Sequence, residues 1–415
     1  MRYFIYFIIG ILFLGCNKTI MQYQANSPIY MDFNAFRSSV VFEQPQQLQS
    51  HGGIYRKDPY LFIVYPEKGI HVFDNSNPSS PVNLGFLKIM GCTGMEIRDE
   101  FLVANSFTDL VVIDISTISS PVEVARINNV FPQALPTREN NLPVSIIDKE
   151  KGVVVGWKIE TIKEDVSSQP NWINCINCEG VNFAQTNSSS SSSPSTGLSG
   201  SITKFTQIGN FIYVMDGHRL IPFDFSSITN PSFHGGVWVN RVVETLFAYN
   251  NHIFMGTTTG MLIYGTNSPS VPNYVSEVNH LLACDPVVVQ DDIAYVTIRS
   301  GRDCGGEINQ LDVVNVSNFS NPFIEASYNM TNPHGLGIDG DLLFICDGAD
   351  GLKVFDATIP EMAGATLLHT FSNVIAVDII PHEKLAILIG ENALQQYDYS
   401  NPQNFNLLST IPIFQ

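Results

Sequence analysis

One unit recurs along the chain at intervals of about forty residues, and it limits the possible folds more than any other feature. It consists of an apolar run, a turn, a second apolar run ending in Asp, and a second turn closing on Pro. It reads YLFIVYPEKGIHVFDNSNPSSP from Tyr60 to Pro81, FLVANSFTDLVVIDISTISSP from Phe101 to Pro121, and FIYVMDGHRLIPFDFSSITNP from Phe211 to Pro231. Asp74, Asp114 and Asp224 each stand seven positions before the closing Pro81, Pro121 or Pro231. Gly265 and Asn315 keep the same offset before Pro272 and Pro322, and Asp356 and Asp398 end equivalent runs. A carboxylate there can accept backbone N–H bonds from the Ser/Asn turn that follows, so the marker Asp has a structural role.

Each unit holds four β-type runs. In the second they are Met95 to Arg98, Phe101 to Ala104, Leu110 to Ile115 and Val122 to Ile127. A four-stranded sheet that is apolar on both faces cannot bury itself. Stacking such sheets in a closed ring covers both faces and protects the edges. The expectation is an all-β fold: a single β-propeller over residues 54–413, built from about eight four-stranded blades. The units fall near 54–89, 94–127, 144–164, 202–239, 243–279, 283–328, 335–371 and 375–412. The third is degenerate, with VSIID, VVVGW and KIETIKE but no fourth run, so seven blades is the alternative count. Residues 165–201 follow it as a Ser-rich insertion containing Cys175 and Cys178, with the composition of a disordered segment.

Only 14% of residues are charged, and the formal net charge is −18. Asn, Ser, Thr and Gln carry the polarity, which suits short strands and turns better than long exposed helices. So negative a chain has no basic footprint for phosphate, which excludes nucleic acid as an expected partner.

The N-terminus carries an address. Arg2 precedes an apolar run from Tyr3 to Leu14, too short to span a bilayer and suited to the apolar core of a signal peptide over residues 1–15. It ends in Phe13-Leu14-Gly15-Cys16, which resembles the lipobox of bacterial lipoproteins. That resemblance implies an exported protein with lipid on Cys16, its only expected cofactor, and a membrane as partner through the anchor. An ordinary signal peptide with a chance Cys is the alternative. Residues 16–53 then read as a polar tether and lead-in.

The repeating units resemble LVIVD repeats, named for strands such as LVVID at Leu110 to Asp114. ACDPVVV from Ala283, NQLDVVNVS from Asn309 and NPHGLGIDGDLLFICDG from Asn332 resemble a Bacteroidetes lipoprotein subfamily. The resemblance implies a propeller at the outer membrane, on its periplasmic side or at the cell surface. It implies no established activity.

Six cysteines remain besides Cys16. Export favours pairing, so Cys284 with Cys304 and Cys175 with Cys178 are candidate disulfides, with free thiols as the alternative for the latter. Cys92 and Cys346 have no evident partner, and Cys346 reads as a small buried apolar residue. No nucleophile elbow, P-loop, His-Glu-x-x-His or D-x-D-x-D-G metal loop occurs, so neither catalytic nor metal-binding residues are assigned.

In a four-stranded blade, the loop joining the second and third strands shares a face with the link to the next blade. That loop face collects Asn105, Asp109, Asp216, His218, Asp285, Arg299 to Glu307, His334, Asp347 to Asp350 and the link 128–143. The Ser-rich insertion would leave on the other face or the outer rim. Asp285, Arg299, His334 and Asp347 are the candidate ligand residues, weighed against ordinary turn roles for the carboxylates. The expected function is a non-catalytic binding or scaffolding propeller for a protein or glycan. The alternative is a metal-dependent periplasmic or surface hydrolase or lyase with its site in the funnel.

Overall fold

The computed structural model describes residues 20–138, 140–165, 198–279, 286–300, 308–372, 374–402 and 404–414. Seven four-stranded antiparallel blades form a ring, at 54–88, 95–127, 205–238, 243–279, 287–329, 336–371 and 376–412. Within each, the first strand lies innermost and the fourth outermost. The ring therefore has the alternative count of seven. Seven of the eight units read from the repeat are blades.

The third unit is not a blade. Val153–Asp165 is one continuous strand that pairs antiparallel with Ile20–Met31. The two make a separate two-stranded ribbon. The physical reason lies in its charges. Lys158, Glu160 and Lys163 fall on a strand that, inside a blade, would be sandwiched between apolar neighbours at a high desolvation cost. The lead-in is likewise more than a tether, since Ile20–Met31 is the partner strand and Val41–Glu43 adds an outer fifth strand to blade 1.

Packing between blades follows the repeat. Tyr55, Phe62, Val64, Ile70 and Val72 of blade 1 meet Met95, Ile97, Leu102, Val111 and Ile113 of blade 2 in one dry layer. Equivalent layers join the other neighbours, and Ile54, Leu61 and Ile63 meet Ile380, Ile387 and Ile389 where blade 7 returns to blade 1. Among the described residues no strand is exchanged at that closure. A reciprocal amide pair, Asn75 with Gln396 at 2.8 Å in both directions, and Arg56 donating to the His382 carbonyl at 3.2 Å support it.

The marker Asp residues do form turns. Asp74, Asp114, Asp224, Asp356 and Asp398 each accept the N–H two residues on at 2.8–2.9 Å, with Asn315 doing the same at 3.0 Å. Hydrogen bonds from the Ser and Thr residues that follow hold these carboxyls below their usual range. These turns lie on the face opposite the loop face.

Candidate functional site

Near the axis of the ring, where a propeller funnel would hold a ligand, a short segment of the chain itself lies against the inner strands. Leu198–Ser199 pairs antiparallel with the innermost strand of blade 1, Leu198 opposite Arg56 and Ser199 opposite Tyr55. From there the chain rises toward the loop face. Ser201 Oγ donates to Asp378 of blade 7 at 3.0 Å and accepts the Leu336 N–H of blade 6 at 2.7 Å. The Thr203 hydroxyl meets the Tyr55 hydroxyl at 3.2 Å, and its carbonyl accepts the Leu246 N–H of blade 4 at 2.7 Å. One short polar segment thus ties four inner strands together across the axis. Gly335 admits it, because a Cβ there would stand 2.1 Å from the Asp378 carboxylate.

Three of the four candidate ligand residues meet at a corner of the loop face between blades 5 and 6. Arg299 follows the second strand of blade 5, and His334 and Asp347 flank the inner strands of blade 6. His334 donates its backbone N–H to the Cys346 carbonyl at 2.7 Å, and its carbonyl accepts from Thr297 Oγ1 at 2.6 Å. Its ring contacts the Asn332 amide at 3.1 Å. Burial first, then the nearby Arg299 charge, lower its pKa to about 4, against a smaller opposing pull from Asp347.

Asp347 is fully buried. It accepts the backbone N–H groups of Thr331 at 3.1 Å and Asn332 at 2.7 Å and is paired with Lys353, which also reaches Asp350 at 3.1 Å. These bonds make it an organiser of the loop. Burial, with the negative charges of Asp378 and Asp347, raises the adjacent Cys346 thiol well above its ordinary value. Cys346 and Cys92 are buried free thiols. Asp285, Cys16, Cys175, Cys178, Cys284 and Cys304 lie outside the described residues.

A second feature of the same face was not singled out from sequence. The outer strand of blade 3 is broken into Ser232–Phe233 and Val237–Trp238, separated by Gly235-Gly236. Trp238 lands opposite Arg219 beside the loop holding His218. The indole and imidazole stack with ring centres 5.0 Å apart and 20° between planes, and Trp238 is 65% exposed. Arg219, at the same edge, pairs with Asp216 and donates to the Val130 carbonyl. Asp216 and His218 fall on this face by the repeat alone; for Trp238 the only advance signal is its place just after Gly235-Gly236.

Two clefts flank the ribbon's base. One, of about 320 Å³, is lined by Phe33, Thr108, Pro132, Leu135, Ile147 and Val153. The other, of about 440 Å³, lies between Val155 and the rim of blade 1 at Tyr65, Lys68, Phe86 and Lys88. The strand leading to the Ser-rich insertion, Val153–Asp165, is rooted on the loop face; residues 166–197 of the insertion, expected on the other face or the outer rim, lie outside the described residues. Among the described residues, no three His, Cys, Asp or Glu side chains gather as a metal-holding group.

The LVIVD repeat model matches residues 56–86, 101–129 and 284–330, which fall in blades 1, 2 and 5. The protein carries LVIVD repeats in a propeller ring. No curated protein matches this LVIVD-repeat chain. Among solved structures it is similar to BamB from Moraxella catarrhalis, at 10% identity and a TM-score of 0.46, covering 90% of this chain and 92% of that one. It is also similar to Sqt1 from Saccharomyces cerevisiae, at 8% identity and a TM-score of 0.48, covering 95% and 89%. KlHsv2 with a replaced loop gives 9% and 0.49, covering 87% and 99%. Similarity at this level supports no argument about activity or partner.

Proposed function

We propose that this LVIVD-repeat propeller is an exported lipoprotein, anchored at the outer membrane through Cys16, that binds a protein or glycan through its loop face without catalysing a reaction. The anchor rests on the apolar run Tyr3 to Leu14 and the Gly15-Cys16 that ends it. No helix among the described residues is long and apolar enough to cross a membrane. Binding rests on one observation, the exposed indole of Trp238 held flat against His218 on the loop face. A large ring already fixed by stacking loses little freedom when a partner covers it, and Trp is enriched among residues that dominate binding energy.

At the same corner Asp347 is held by backbone N–H groups and Lys353, and His334 by backbone groups and Asn332, as suits a shaped surface.

Immobilised protein should retain a defined protein or glycan from solubilised envelopes of the source cells. Trp238→Ala should weaken that retention at least tenfold, about 1.4 kcal/mol, with an unchanged melting temperature. Equal retention by the variant, or substrate turnover abolished by changing His334, would overturn the reading.

A further inference from the structure

We propose that the two-stranded ribbon is a strut that stands the propeller off the lipid surface and makes the loop face its membrane-facing side. The inference rests on lipidation at Cys16 and goes beyond it. Ile20–Met31 pairs with Val153–Asp165 from Ile20↔Asp165 to Met31↔Val153, with one irregularity at Ile29/Tyr30. At about 3.3 Å per residue, such a ribbon extends roughly 40 Å. It hydrogen-bonds to no blade strand as a sheet neighbour.

Its base is fixed on the loop face. Val153 packs with Phe36 and Phe107, the latter in a loop between the second and third strands of blade 2. Immediately beyond the ribbon, Arg37 bonds to the buried Asp109 at 3.0 Å. Asp109 also takes Arg126 at 3.3 Å and the Asn129 N–H at 2.9 Å. A charge buried with two guanidinium groups and a backbone donor is costly to displace, so the root does not swivel freely.

A two-stranded ribbon is marginally stable by itself, and this one is braced. Asn26 donates its N–H to the Pro143 carbonyl at 2.8 Å and accepts from Ser145 at 3.0 Å. Trp157 Nε1 donates to the Pro136 carbonyl at 2.9 Å, and the Tyr30 hydroxyl accepts the Asp148 N–H at 2.7 Å. The link between blade 2 and the ribbon thus splints its root half.

The far end is the anchor end. Cys16 is four residues before Ile20 in sequence, a reach of at most about 14 Å. A lipid on Cys16 therefore places the ribbon's tip at the membrane surface. Its other end fixes the loop face toward that surface, so the partner is one projecting from the same membrane.

The test uses the full-length acylated protein in a supported phosphatidylethanolamine and phosphatidylglycerol bilayer, with neutron reflectivity reading the height of the protein layer. Removing Met21–Gln24 together with their register partners Thr161–Glu164 keeps the pleat and should lower the propeller by about 13 Å. An unchanged height, with the variant's circular dichroism intact, overturns the strut. A measurement on the unshortened chain guards against misfolding. A donor dye on a non-natural residue at Glu391, on the loop face, should be quenched by headgroup acceptors more than one at Ser79 on the opposite face. The reverse order overturns the orientation. The mass of the N-terminal peptide separates the two readings: an unacylated Cys16 removes both, whereas an acylated chain at unchanged height removes the strut alone.

Discussion

Glu96 and His71 are buried ionisable side chains that pull the stability of the ring in opposite directions with pH. Glu96 lies on the innermost strand of blade 2, where its carboxylate accepts the Ile97 N–H at 3.0 Å, and burial raises its pKa to about 8. The folded chain then holds a proton that the unfolded chain releases above about pH 4.5. This contribution is full below about pH 4.5 and is lost progressively as pH rises to about 8. His71 is fully buried, 4.8 Å from the Phe86 ring and stacked on Tyr65 at 5.9 Å. Neither ring nitrogen has a hydrogen-bond partner among the described residues. Burial lowers its pKa to about 4, so its contribution is full above about pH 6.5 and is lost as pH falls toward 4. Glu96→Gln should raise the denaturation midpoint at pH 8 more than at pH 5. His71→Phe should flatten the loss between pH 6.5 and 4, worth up to roughly 3 kcal/mol. Urea titrations across that range check both, and parallel profiles for wild type and variants would contradict them. Neither burial was legible in the sequence. Both faces of a blade strand are covered, so the alternation that marks an exposed face is missing and MEIR or GIHVFD gives no sign of which polar residue is enclosed.

At the scale of elements, the repeat gave seven blades to within a few residues because each blade is local, its four strands consecutive and joined by short turns. The ribbon and the channel segment escaped because their partners are far away in sequence. Ile20–Met31 pairs across more than a hundred residues, and Ser201 bonds Asp378 across 177. Pairing at that distance leaves no local mark. The run Val153–Asp165 looked like blade strands because its composition suits any strand, and only its charges argued otherwise. The channel segment carries a prediction of its own. Ser201→Ala leaves the Leu336 N–H and Asp378 without that partner, and should cost about 1–3 kcal/mol. Gly335→Ala should cost more, because its Cβ displaces the Asp378 carboxylate that holds the segment. Thermal melts of the two variants give the order, and an unshifted Gly335→Ala would contradict the packing.

The whole molecule is a ring closed by side chains, with a short segment of the chain near its axis, and extended on one face by a ribbon. Topology was enough to bring Arg299, His334 and Asp347 to a shared corner, since every blade repeats the same path. The same logic could not see Trp238, whose exposure depends on a break in one outer strand at Gly235-Gly236. That difference explains why the scaffold was more readable than its surface: blades are made by pattern, whereas the proposed binding surface is made by departures from it. The account stands or falls on which face meets a partner. A photo-crosslinking residue placed at Trp238, and separately at Ser79, in the intact source cells measures this directly. A partner bound at the loop face gives one discrete covalent adduct from Trp238 and none from Ser79. Adducts from Ser79 alone, or equally from both, would contradict it.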